Sequence, residues 1–367
     1  MPSLRRMMFR IHHWRFRLSM RFVKQFIWFT IICAALAYLL HTWLSPLTYR
    51  AKRRSRGRAN EQHLRGSHFR KFDKVADKIP PVPKFSKSLV VPHLDEDIMK
   101  KHLAYPKRKY NERVLIASHV TSWDISQGWL KNVLLSLTYP RHLVSVAMAM
   151  DVKDDTEQLE LAEKELLALF PTVSAYILNL TDYVVDDMNK GNPQFKKRSR
   201  LAHARNMLVQ AGLRESDDWV LWLDSGLISV PPDLIQQLLS AKKDVVTPLC
   251  LHHDVIRQKN VIYDLSTWRE THESYLQQKQ LSMSDVLYTE KKPTKRIRLS
   301  DLRAEGRVVP VDGVGACALL VTANYFLNEL GFPEKAFRHH IDTEGLAKMA
   351  QSMGYEVYGM PFVEVFH

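Results

Sequence analysis

The run WVLWLDSGLISVPPDLI, Trp219–Ile235, puts a single acid, Asp224, directly after an apolar stretch that reads as a buried strand. A carboxylate fixed at the rigid end of a strand is suited to holding a hard divalent cation such as Mg2+ or Mn2+. Such a cation neutralises the charge that builds on a departing diphosphate, as when a sugar leaves a nucleotide-sugar donor. A second carboxylate two positions on would hold the ion more firmly, but the triplet here is Asp224-Ser225-Gly226. Asp151 is a second acid of the same kind, ending the apolar run LVSVAMAM.

The elements that must position these acids begin at Arg113. VLIAS, LVSVAMAM, VSAYILNL, WVLWL and DVVTPLC read as five strands. GWLKNVLLSL, DDTEQLELAEKELLALF, SRLAHARNMLVQAGL and PPDLIQQLLSA read as the helices between them, the second with an acidic start that favours its dipole. Strands alternating with helices predict an α/β fold, a Rossmann-like, mostly parallel sheet covered on both faces. Such sheets take ligands at the carboxyl ends of their strands, where Asp151 and Asp224 stand. Residues 182–198 and 276–307 are polar and read either as flexible surface loops or as a lid or acceptor-binding segment.

The formal charge of +14 suggests nucleic acid until it is located. Residues 1–58 hold thirteen Lys and Arg and no acid, which leaves 40 basic and 39 acidic side chains in the rest. The folded body is therefore nearly neutral, and no nucleic-acid partner is expected. The basic segment flanks Phe26–Leu44, an apolar run with Trp28 and Trp43 near its ends, long enough to cross a bilayer as one helix. The expected order is a cytosolic tail (1–25), a transmembrane anchor (26–44), a stem rich in charge and proline (45–112) and the body (113–367). Cys250 and Cys317 fit either one disulfide or two free core thiols. Asn179-Leu180-Thr181 is a glycosylation sequon within a strand-like run, so chance occurrence is at least as good a reading as use.

RLAHARNMLV, WVLWLDSGLISVPPDLIQQLL, DVVTPLC, YDLSTW, VDGVGACALLV, HIDTEGLAKMAQSMGYEVYGMP and VFH follow one another in order. This series resembles the fungal mannan-polymerase family of retaining α-mannosyltransferases, glycosyltransferase family sixty-two, over roughly residues 113–367. The resemblance implies a GT-A fold and a single-pass Golgi anchor with a lumenal catalytic domain. It also implies GDP-mannose as donor, a mannosylated glycan acceptor, Mn2+ or another divalent cation as cofactor, and other glycosyltransferase subunits as partners.

Residue by residue, Asp224 matches the first acid of the family's Asp-x-Asp motif, and Gly226 stands where the second would be. His367 matches the family's late histidine, implying a metal or diphosphate contact beside Asp224. Arg205 and Asn206 match its ARN segment, with Arg205 placed to pair with the diphosphate. Asp151 and Asp155 fall where this fold meets base and ribose. Asp312 precedes two glycines that let backbone approach a ligand. Asp342 and Glu344 open a helix, where acids are ordinarily dipole partners; the resemblance favours Glu344 as an acceptor-side or catalytic group. Three functions fit: a metal-assisted retaining mannosyltransferase, a non-catalytic scaffold subunit, and a GT-A transferase using another sugar nucleotide.

Overall fold

The computed structural model describes residues 110–367 apart from 182, 283 and 288–294. The expected tail, anchor and nearly all of the stem lie outside these residues. Among the described residues, no helix is long and apolar enough to cross a membrane.

The chain runs β1 (Val114–His119), α1 (Ser122–Gln127), α2 (Trp129–Ser136), β2 (Val144–Asp151), α3 (Thr156–Leu167) and β3 (Thr172–Leu178). It continues through α4 (Pro193–Gly212), β4 (Trp219–Leu223), α5 (Leu234–Ser240), β5 (Val245–Asp254), β6 (Lys259–Ile262) and β7 (Trp268–Arg269). It ends with α6 (His272–Lys279), β8 (Ile297–Arg298), β9 (Val309–Pro310), β10 (Ala318–Thr322), α7 (Ala323–Leu327), α8 (Asp342–Ser352) and β11 (Val357–Phe366).

Among the described residues, nine strands form one sheet in the order β3-β2-β1-β4-β10-β5-β11-β9, with β6 paired to β5. Strands β3, β2, β1 and β4 are parallel. β10 runs antiparallel between β4 and β5, and β11 returns parallel to β5. The sheet is mostly parallel, as expected, and all five expected strands form. The sequence reading did not assign β10 and took only FVEV, residues 362–365 of β11, as strand-like; both strands help build the site.

Both faces are covered because both faces of the strands are apolar. On one face Leu221 and Leu223 pack with Leu234, Leu238 and Val365. On the other Val220 and Trp222 pack with Leu208, Phe332 and Leu346. These β4 side chains are at most 3% exposed, so each contributes about 1.5–3 kcal/mol by leaving water. A strand held this firmly gives the residue that follows it a fixed position.

The segment read as a polar loop over 182–198 is largely ordered structure. Asn192 caps α4 by accepting from the Gln194 and Phe195 N–H groups, with Pro193 in the first turn. Helix α4 therefore starts five residues before the connector was expected to end. In the second polar segment, β8 and a helical turn over Leu299–Glu305 are formed. Cys250 and Cys317 form a disulfide, with Cα atoms 6.2 Å apart. The sequon is placed differently from its expected strand: β3 ends at Leu178, and Asn179 is exposed with its side chain accepting from the Thr181 N–H at 3.1 Å.

Candidate functional site

Strand β1 lies between β2 and β4, so the chain leaves it in one direction and later returns on the other side. That reversal opens a crevice beyond the carboxyl ends of the strands, where open α/β sheets bind ligands. His119, Asp151 and Asp224 all stand at this rim.

Asp224 is fixed from three directions. Its N–H donates to the Cys317 carbonyl at 2.9 Å. Its Oδ1 accepts from the Gly226 N–H at 3.0 Å. The neighbouring Ser225 hydroxyl donates to Asp124 at 2.7 Å, tying the turn to α1. Burial works to raise the Asp224 pKa, but the His367 ring, the Gly226 N–H and the Arg205 charge outweigh it and hold it below the ordinary value. The carboxylate is therefore ionised at neutral pH.

β11 brings His367 to this point. The Ile228 N–H donates to the Phe366 carbonyl at 2.8 Å, and the Phe366 N–H returns to the Ser229 carbonyl at 2.8 Å. His367 Nε2 then lies 3.4 Å from Asp224 Oδ1. Two ligands about 2.1 Å from one first-row ion are about 3.0–3.4 Å apart, so this pair fits a shared cation without moving. Gly226 makes room: a Cβ there would lie 2.6 Å from His367 Nε2. Among the described residues no three His, Cys, Asp or Glu side chains are grouped to hold a metal, so this two-ligand set would need oxygens from substrate or water.

The other expected residues have different positions. Arg205 is only 7% exposed. Its guanidinium pairs with both Asp342 oxygens and stacks on Trp222 and Phe332. Expected to meet a diphosphate directly, it is instead taken by a protein carboxylate and acts on the rim through its field. Asn206, expected at the donor, clamps a loop: its amide exchanges hydrogen bonds with the Phe332 backbone at 2.8 Å in both directions. Asp155 caps α3, the ordinary role of an acid there. Asp151 remains at the rim and pairs with Arg200.

Glu344 belongs to a separate, buried ionic cluster, and Asp312, its side chain 26% exposed, stands at the edge of that cluster. Asp312 accepts from the Glu270 N–H at 2.8 Å and from Gln351 at 3.2 Å. Glu344 is 1% exposed and accepts from His340 Nδ1 at 3.3 Å. Arg296 faces the other ring nitrogen at 3.2 Å and pairs with Glu270, which also meets Lys348 at 3.3 Å. His340 is thus a neutral ring that donates to an acid and accepts from a guanidinium. Burial first, and then the Arg296 charge, push its pKa down to about 4, overcoming Glu344. Burial works to raise Glu344, but His340 and Arg198 bring it down to about 2.

Two site residues were missed by the sequence reading. His119 ends β1 with Nε2 buried and without a hydrogen-bond partner among the described residues. Burial and Arg205 lower its pKa. Tyr263 stacks on the His367 ring with centroids 3.9 Å apart and planes 12° from parallel. The position of His119 at a strand end was a usable signal; Tyr263 opens the segment YDLSTW, but nothing in that segment showed its role.

The family model described as Anp1 matches residues 95–336, which include Asp224, Arg205 and Asp312 and stop short of Glu344 and His367. The chain is similar to the mannan polymerase complex subunit mnn9 of Schizosaccharomyces pombe, 30% identical over 275 residues, covering 70% of this chain and 80% of that one. It is 27% identical over 311 residues to the mannan polymerase II complex anp1 subunit of the same organism, covering 78% and 72% of the two chains. It is 35% identical over 184 residues to the mannan polymerase I complex VAN1 subunit of Saccharomyces cerevisiae, covering 47% of this chain and 33% of that one. A solved mannosyltransferase from Pyrobaculum calidifontis aligns at TM-score 0.43 and 13% identity over 74% of this chain and 61% of that one, too loosely to support an argument. The chain belongs to the Anp1 family, that of the fungal mannan polymerase complex subunits.

Proposed function

We propose that this protein is a retaining α-mannosyltransferase of GT-A fold. It moves mannose from GDP-mannose to an α-mannoside glycan, within a complex of glycosyltransferase subunits. The observation that carries this reading is the Asp224–His367 pair, 3.4 Å apart at the reversal point of the sheet. The names of its relatives as mannan polymerase subunits support the substrate class and the complex.

In this reading Asp224 Oδ1 and His367 Nε2 would hold a divalent cation, Mn2+ or a similar ion. When bound, that ion supplies the positive charge that stabilises the departing diphosphate. Arg205 adds positive potential from behind without touching the donor. The acceptor hydroxyl forms the new bond to the anomeric carbon on the face from which the diphosphate leaves, and its proton passes to a diphosphate oxygen. No strong base is needed from the chain, which suits the burial of Glu344. Glu344 and Asp312 support the site by holding α8 and the 312–315 loop.

An anchor over the apolar run 26–44, as expected from the sequence, would suit a lumenal domain on a Golgi membrane, as does the disulfide, since disulfides persist in oxidising compartments. A non-catalytic subunit is the second reading, favoured by the Asp-Ser-Gly triplet, which keeps one acid where two are usual.

The test uses the full chain in detergent with labelled GDP-mannose, an α-mannoside acceptor and Mn2+. Product that disappears in Asp224→Asn supports the transferase. Turnover only with a uridine-diphosphate sugar refutes the donor. No turnover, with stable binding to a second transferase, favours the scaffold.

A further inference from the structure

His367 is a side chain at the end of a strand, so something must hold its ring in the Gly226 gap. A closed circuit of contacts does so. The Asp224 N–H donates to the Cys317 carbonyl, and the Tyr263 N–H donates to the Cys250 carbonyl at 3.0 Å. The Cys250–Cys317 disulfide joins those two points, one on β5 and one just before β10. The Tyr263 ring then lies flat on His367, and His367 faces Asp224. The His367 backbone is held as well: its N–H donates to the Leu251 carbonyl at 2.9 Å, and its carbonyl lies 3.1 Å from His252 Nδ1.

The backbone contacts fix where residue 367 begins but not how its ring turns. Gly226 presents no side chain to stop that rotation. The Tyr263 face supplies the constraint. Offset stacking is worth about 0.5–1.5 kcal/mol beyond burial, enough to favour one ring orientation over its neighbours.

We propose that Tyr263 is a positioning residue for cation and diphosphate binding: its backbone is tied to Cys250, which the disulfide joins to Cys317 beside Asp224, and its ring, stacked flat on His367, holds that ring in coordinating register. The proposal rests on the transferase reading for its ligand, yet the ring geometry can be tested without one. Groups that orient a metal-binding side chain typically change metal affinity about 10–100-fold when removed. Loss of the Tyr263 ring therefore weakens cation binding while leaving the fold intact.

Two readouts on the full-length protein in detergent test this. Diethyl pyrocarbonate labelling, followed by mass spectrometry of the peptide containing His367, reports how well the ring is covered. Mn2+ titration in the presence of GDP, read by electron paramagnetic resonance, reports affinity. Tyr263→Phe keeps a stacking face and Tyr263→Leu keeps bulk without one, so neither relies on a cavity-forming variant. The expected result is wild-type behaviour for Tyr263→Phe. Tyr263→Leu should show faster His367 labelling and Mn2+ affinity reduced about tenfold or more. Equal labelling and equal affinity in Tyr263→Leu and wild type would overturn the positioning role alone. If wild type binds no Mn2+ with GDP, the transferase reading falls with it, and the labelling contrast shows whether Tyr263 still orients the ring.

Discussion

The rim pair and the buried cluster use similar residues to opposite ends. At the rim one acid and one histidine meet with side chains 38% and 23% exposed. In the cluster Glu270, Arg296, His340, Glu344 and Lys348 satisfy one another almost entirely out of water, with Arg296 also 3.5 Å above the Trp268 ring. A group whose bonding is complete inside the protein has nothing left to offer a substrate. A group held firmly but left partly open does. Strong pKa perturbation marks the cluster more than the rim, so here perturbation reports architecture.

The largest contrast should appear in stability. Removing one member of a buried ionic set leaves an uncompensated charge, at a cost of about 3–5 kcal/mol. Arg296→Met should lower stability by that amount in denaturant unfolding. Asp224→Asn, at a half-exposed pair, should change it by less than about 1 kcal/mol. Equal losses would erase the distinction.

Acid should act next, and through the cluster. The His340 pKa is about 4 in the folded protein against 6.5 ordinarily, so the unfolded chain takes up a proton that the folded chain refuses. Stability should fall as pH drops from 6.5 toward 4. Glu344, at about 2 against 4.5, extends the loss from 4.5 downward, as its carboxylate is protonated more readily when unfolded. Melting temperatures across this range should show the decline. His340→Asn, which keeps a donor to Glu344 but cannot titrate, should flatten its upper part.

Much of this arrangement could be read from residue order. The alternation of apolar runs predicted the parallel half of the sheet, and the acid after WVLWL marked the rim. The roles of Arg205 and Asn206 could not be read that way, because their partners, Asp342 and Phe332, come from distant parts of the chain that local periodicity does not connect. Glu344 was favoured by the resemblance alone; its place in the first turn of a helix reads alike whether it faces solvent or a buried histidine. The contact of Tyr263 with His367 became visible only once the β5–β6 hairpin laid it beside the end of β11.

A smaller effect would sharpen the rim itself. Gly226→Ala puts a methyl 2.6 Å from His367 Nε2, so the ring must turn away from Asp224. Mn2+ affinity with GDP should fall, with little change in melting temperature. The smallest effect concerns compartment. Asn179 is exposed at a strand end, and a lumenal domain would carry a glycan there. An endoglycosidase-sensitive mobility shift, absent in Asn179→Gln, is the expected outcome for protein expressed in a eukaryotic secretory system.

The central claim is that Asp224 and His367 together hold a cation against a nucleoside diphosphate. Calorimetric titration of GDP into the full-length protein, with and without Mn2+, tests it most directly. The account predicts Mn2+-dependent binding that is lost in Asp224→Asn and weakened in His367→Ala, with melting temperatures near wild type for both. GDP binding that is indifferent to Mn2+ and unchanged in Asp224→Asn would contradict it.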